Sequence, residues 1–136
     1  MTEEFTVEIP VQYRDLDPQG HVNNAVYASY LETARVDYLE DVLEVAAEDI
    51  SFVVATLEIE FKHPITKGDD PTVALWIANL GESSCTMEYE IRVDGTVAAT
   101  ADTTMVHIDP DTGRPSPLPD EVRARMEPFE NADQSA

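Results

Sequence analysis

The chain has 136 residues, 43% of them hydrophobic, and sets 28 acidic side chains against 8 basic ones for a formal net charge of −20 at pH 7. This length suits one domain with a real core but not two, the apolar content excludes a wholly disordered protein, and the charge disfavours nucleic acid and anionic membranes, whose binding rests on cationic contacts. No run of about 18 apolar residues is present to span a membrane, the start MTEEFTVEIP lacks the basic head and apolar centre of a signal peptide, and the lone Cys85 can form neither an internal disulfide nor a metal cluster.

A cytoplasmic domain over residues 1–128 is the expectation, with 129–136 as a frayed tail. The acids are spread through patterned segments, and lysine occurs only at Lys62 and Lys67. This pattern reads as a folded protein adapted to high salt, where a Debye length of about 3 Å at 1 M screens self-repulsion.

Phe5, Val7, Ile9 and Val11 alternate with polar residues and predict a first strand, interrupted near Pro10. Asp15 to Asn24 reads as a loop, with Pro18 and Gly20 at turn positions and Asn23 or Asn24 as helix N-cap. From Ala25 the apolar residues Val26, Tyr27, Tyr30, Leu31, Ala34, Tyr38, Leu39, Val42 and Leu43 fall on one stripe, which predicts a long helix with a buried face. On its surface Glu32 and Arg35, three apart, can pair.

Leu57, Ile59 and Phe61 then alternate with Glu58, Glu60 and Lys62, predicting a strand with one buried and one wet face. Pro64 and Lys67-Gly68-Asp69-Asp70-Pro71 break the pattern, and Val73, Leu75 and Ile77 resume it until Gly81. Cys85, Met87, Tyr89, Ile91 and Val93 form one face of the next strand. Asp94-Gly95 signals a two-residue hairpin turn, and Val97 to Ile108 returns as the last strand. Pro119 to Met126 is a candidate short helix. This order of strand, long helix and meander is α+β. One helix cannot cover both faces of such a sheet, so the leftover apolar surface predicts self-association.

Tyr13 to Arg35, YRDLDPQGHVNNAVYASYLETAR, concentrates the chemistry. A carboxylate beside a helix N-terminus can serve as base or nucleophile while backbone N–H groups polarise a carbonyl. Asp17 is the candidate because it stands closer to the helix start than Asp15, although both aspartates also read as turn residues. His21 reads either as a general acid or as a structural hydrogen-bonder. Asp15, Asp17 and His21 do not have metal-ligand spacing, and no cofactor motif is present.

The same segment resembles the signature of the 4-hydroxybenzoyl-CoA thioesterase-like branch of the hotdog superfamily: an aspartate-x-aspartate, a Gly-His-Val-Asn-Asn turn, a helix tyrosine, and a later Glu-x-x-Arg. FKHPITKGDDPTVALWIANLGESSCTMEYEI is similar to the family's following strands. The resemblance implies a curved antiparallel sheet wrapped around one long helix, a homodimer or homotetramer, and acyl-CoA thioester hydrolysis at the subunit interface without a cofactor.

By position it makes Asp17 the catalytic carboxylate and the backbone N–H of Asn24 the oxyanion donor. Tyr27 and His21 would line the substrate site. Lys62, His63, Lys67 and Arg92 are the basic candidates for CoA phosphates, with no choice among them in the sequence, and Lys62 and His63 are expected to be substrate-binding. Some bacterial relatives have histidine at the position of Asn24 and an aliphatic residue at that of His21, so no catalytic histidine is carried across and His21 is expected to orient the loop. Val53, Val54, Leu57 and Tyr30 are candidate acyl-pocket walls. The competing expectations are an acyl-CoA-binding module without turnover and a hydroxyacyl-thioester dehydratase, whose longer hydration motif is missing here.

Overall fold

A computed structural model of the chain describes residues 3–45 and 51–130. Its elements run β1 (Phe5–Glu8), α1 (Asn24–Asp41), β2 (Phe52–Phe61), β3 (Thr72–Leu80), β4 (Ser84–Val93), β5 (Thr96–His107) and α2 (Asp120–Met126). The strands form one five-stranded sheet in the order β1-β3-β4-β5-β2, with every neighbouring pair antiparallel. One long helix packed on such a sheet is the α+β, hotdog arrangement that the resemblance implies.

Helix α1 begins where Asn23, in extended backbone, accepts the Ala25 N–H on its side chain at 2.9 Å. That capping bond satisfies one of the donors that a helix start leaves orphaned. Eighteen residues free of Gly and Pro follow. Their buried stripe, Tyr27, Tyr30, Leu31, Ala34, Tyr38 and Leu39, is the one the apolar spacing predicts.

The stripe meets the inner sheet face, where Val73, Leu75, Ile77, Cys85, Met87, Tyr89 and Ile91 are each almost fully buried. Between β4 and β5, Asp94 and Gly95 both take positive φ, at 50° and 80°. This is the turn geometry whose twist matches a two-residue hairpin and which favours an Asp-Gly pair.

The core continues past the expected boundary at residue 128. Phe129 is buried, its ring centroid 5.2 Å from that of Tyr38, and Glu130 bridges to Ile77. An aromatic side chain held against the far end of α1 cannot belong to a frayed tail. Residues 131–136 lie outside the described residues.

Strand β2 corrects a second expectation. Its inner-face side chains Leu57 and Phe61 are 47% and 45% exposed, and Val54 is exposed as well. The strand lies at the sheet edge beyond β5, where α1 reaches it at Phe61 through Tyr27 but leaves most of it uncovered. The alternating pattern is present, but in the single chain the apolar face is only partly buried, Ile59 and Phe52 packing against the core while Val54, Leu57 and Phe61 stay exposed.

Candidate active site

The loop before α1 is held almost entirely by its own polar groups. After a 3-10 turn at Tyr13–Asp15, Leu16 bridges to Val22 and the Asp17 N–H donates to the His21 carbonyl at 2.7 Å. Gly20, at φ +81°, donates its N–H to the Asp17 carbonyl at 3.0 Å. That left-handed conformation is open to glycine without steric cost. The Val22 N–H reaches the Ile65 carbonyl at 2.7 Å, and the Asn23 N–H reaches that of Asp15 at 2.8 Å.

The two aspartates of this loop are held differently. Asp17 accepts two backbone N–H groups on one oxygen, Oδ1, from Gln19 at 2.9 Å and His21 at 3.1 Å. The first is an Asx turn, so the turn reading of Asp17 describes that oxygen correctly. Oδ2 has no hydrogen-bond partner among the described residues, which leaves it available for chemistry. Asp15 instead accepts the Tyr30 hydroxyl at 2.9 Å and the Gln12 N–H at 2.8 Å, both on Oδ2.

Asp17, His21, Val22, Asn24, Tyr27, Phe61, Lys62, His63 and Pro64 line one open cavity of about 240 Å³. All six residues singled out for catalysis or substrate contact from the sequence are therefore brought together. Asn24 is the first residue of α1, and among the described residues its N–H has no acceptor, as expected at a helix start. Tyr27 is buried, and its ring centroid lies 4.9 Å from that of Phe61 in an edge-on contact. Burial raises the pKa of its phenol, only partly offset by a backbone hydrogen bond at Ile65. The Lys62 ammonium is 3.2 Å from Glu60. The N–H groups of Lys62 and His63 both donate to the Ala98 carbonyl, which turns the chain at the end of β2 and carries both residues to the cavity.

The other basic candidates lie elsewhere. Arg92 is committed to Glu4 at 2.9 Å and Glu90 at 2.8 Å, while the Lys67 ammonium stands 5.8 Å from the centre of the Tyr13 ring. None of the four expected acyl-pocket residues lines the cavity. Val53, Val54 and Leu57 are exposed on β2, and Tyr30 borders a separate recess of about 540 Å³ on another face of α1. Sequence reading missed Phe61, Val22 and Pro64 as wall residues. Their signal was proximity in the chain: Phe61 and Pro64 flank the Lys62-His63 pair, and Val22 follows His21.

A carboxylate, a helix N-terminus and two basic residues around one open cavity suit attack on an activated carbonyl whose leaving part carries negative charge. The family model described as the thioesterase-like superfamily matches residues 11–126. The chain belongs to this superfamily. The thioesterase is 34% identical over 125 residues to the long-chain acyl-CoA thioesterase FadM of Escherichia coli K12, covering 88% of this chain and 95% of that protein.

Among solved structures, it resembles a thioesterase of Thermus thermophilus complexed with coenzyme A and zinc. The TM-score is 0.84 at 40% identity, over 92% of each chain. It also resembles a DHNA-CoA thioesterase of Staphylococcus aureus, with a TM-score of 0.77 at 27% identity over 85% of this chain and 80% of that one. The protein is thus a thioester hydrolase. Among its described residues no three His, Cys, Asp or Glu side chains are grouped to hold a metal ion, and no helix is long and apolar enough to cross a membrane.

Proposed function

We propose that the protein hydrolyses acyl-CoA thioesters to the free acid and CoA, with Asp17 as base or nucleophile and the Asn24 N–H as oxyanion donor. The observation that carries this reading is the unpartnered Asp17 Oδ2 in the same cavity as the first residue of α1. As water adds to the thioester carbon, Asp17 takes its proton. The carbonyl oxygen becomes negative and is held by the Asn24 N–H and the positive end of the helix dipole. Collapse of that intermediate breaks the C–S bond and releases CoA thiolate. Direct attack by Asp17 would give an acyl anhydride that water then cleaves, using the same groups.

Lys62 and His63, at the cavity wall, are the residues proposed to meet CoA phosphates, and Tyr27 with Phe61 to pack against the acyl or pantetheine carbons. His21 supports the loop through its main chain, which contacts Asp17 twice. The open apolar edge of β2 is the proposed contact with a second copy, in a homodimer or homotetramer. The acid surplus supports work in high salt, where repulsion between the protein and CoA's phosphates is screened.

The test is thiol release from a panel of acyl-CoAs in about 1 M KCl. Turnover is expected on part of the panel, and Asp17→Asn should lower kcat by at least about 100-fold with folding intact. Near-full activity in that variant would remove Asp17 from the chemistry. Tight acyl-CoA binding with no thiol release would make the protein a binding module.

A further inference from the structure

Asp15 does not line the cavity of Asp17, yet it is hydrogen-bonded to Gln12, to the helix cap Asn23 and to Tyr30 of α1. Its N–H donates to the Gln12 carbonyl at 2.9 Å, and its carbonyl accepts the Asn23 N–H at 2.8 Å. The second bond closes the segment from Asp15 to Asn23 into a ring and, with the Asp17 N–H to His21 carbonyl bond, makes up the antiparallel Leu16–Val22 bridge. Asp17 lies inside this ring, and Asn24 is the next residue after it.

The Asp15 carboxylate then accepts the hydroxyl of Tyr30, which is 4% exposed on the buried stripe of α1. Among the described residues this is the side-chain hydrogen bond that ties the ring to the body of the helix. Tyr30 was expected to serve in packing or at the acyl pocket; its hydroxyl has this different task.

We propose that Asp15, anchored by Tyr30, is a positioning residue that sets the separation between the Asp17 carboxylate and the Asn24 N–H. The inference rests on the thioesterase mechanism proposed above for its effect on rate, but not for its effect on the loop. Asp15 acts as a hydrogen-bond acceptor. Both of its side-chain bonds end on one oxygen, so an asparagine placing its amide oxygen there keeps both. Asp17 acts with its charge, which an asparagine cannot replace. The paired aspartates thus divide into one whose carboxylate is needed and one whose oxygen is needed.

The experiment compares Tyr30→Phe, Asp15→Ala and Asp15→Asn on an acyl-CoA that the unaltered protein hydrolyses. It also follows exchange of the Asp17 and Asn23 N–H groups by NMR without substrate. Misplacing catalytic groups by about 1 Å can cost about 100-fold in rate. Tyr30→Phe and Asp15→Ala are therefore expected to lower kcat by about 10- to 100-fold at little-changed KM, and Asp15→Asn to recover most of that loss. A role confined to stability would lower the melting temperature without dividing kcat from KM.

In Tyr30→Phe, which removes a single buried oxygen, the Asp17 and Asn23 amides should exchange at least about tenfold faster while those of β4 do not change. Two outcomes overturn the proposal: Asp15→Asn as inactive as Asp17→Asn, or Tyr30→Phe with ordinary kcat and ordinary exchange. Absence of thiol release from the unaltered protein would sink the proposed function, and the exchange rates alone would then decide for or against the role of Asp15.

Discussion

In β3, TVALWIANL, six consecutive residues from Val73 to Ala78 are buried, whereas in β2, FVVATLEIEF, most side chains of both faces reach solvent. The two segments are both rich in apolar and β-branched residues. What separates them is address: β3 lies between β1 and β4 with α1 packed over its inner face, while β2 is the outer strand beyond β5. A ten-residue strand with an open backbone edge and exposed Val54, Leu57 and Phe61 is the kind of edge that natural proteins cover. The inner strand holds the chain's core together; the outer one leaves an open edge, which is the proposed contact with a second copy, and carries Phe61 and the residues after it to the cavity.

The sharpest way to break this contrast is a pair of matched truncations. Leu75→Ala should cost about 2–5 kcal/mol in a denaturant titration, as removal of a buried leucine does. Leu57→Ala should cost less than about 1 kcal/mol once the protein is diluted to protomers, because its side chain is already half exposed. Leu57→Lys should shift the mass measured by light scattering toward the protomer. Equal losses for Leu75→Ala and Leu57→Ala at every concentration would mean that β2 is buried within the protomer after all.

Titration sharpens the contrast from the core side. Burial raises the phenols of Tyr27, Tyr30, Tyr38 and Tyr89, with Asp15 adding to the rise at Tyr30. These groups are neutral when protonated, and the folded chain holds their protons to higher pH than the unfolded chain, whose phenols release them near pH 10. The unfolded state therefore binds fewer protons, and stability falls as pH rises above about 10. Urea midpoints should begin to decline at about pH 8.5, where the unfolded chain's Cys85 thiol ionises while the buried one does not. They should fall more steeply above about pH 10; a midpoint that holds at pH 11 would contradict the burial of these hydroxyls.

The smallest expected effect belongs to the outer face. There Glu58, Asp102 and Glu88 stand side by side across β2, β5 and β4, with Glu60 and Glu90 one rung away. Like charges placed opposite one another destabilise a sheet. Added KCl should raise the melting temperature by a few degrees as the repulsion is screened, and a curve that is flat or falling would count against salt adaptation.

Much of the fold was legible because its signals are local. The stripe of α1, the alternation of β4 and the Asp94-Gly95 turn each depend on neighbours a few residues apart. The cavity residues were legible too, since Asp17, His21, Asn24 and Tyr27 share one short segment and Lys62-His63 another. What remained hidden depends on contacts distant in the chain. Arg92 looked available for phosphate until Glu4, 88 positions away, claimed its guanidinium. Tyr30 read as packing because its hydrogen bond to Asp15 spans 15 positions. The exposure of Leu57 and Phe61 depends on which strand the helix covers, and that is decided by sheet order, which alternation does not encode.

Cys85, the single cysteine of the chain, is buried on the inner face of β4, and burial pushes its thiol pKa up to about 12. A disulfide reagent needs a thiolate and a path to it, and the folded sheet provides neither. The enzyme is thus silent in an assay that counts free thiols, so the signal from released CoA carries no background from the catalyst. The same silence makes slow labelling of Cys85, in protein without substrate, a clock for how often the middle of the sheet opens.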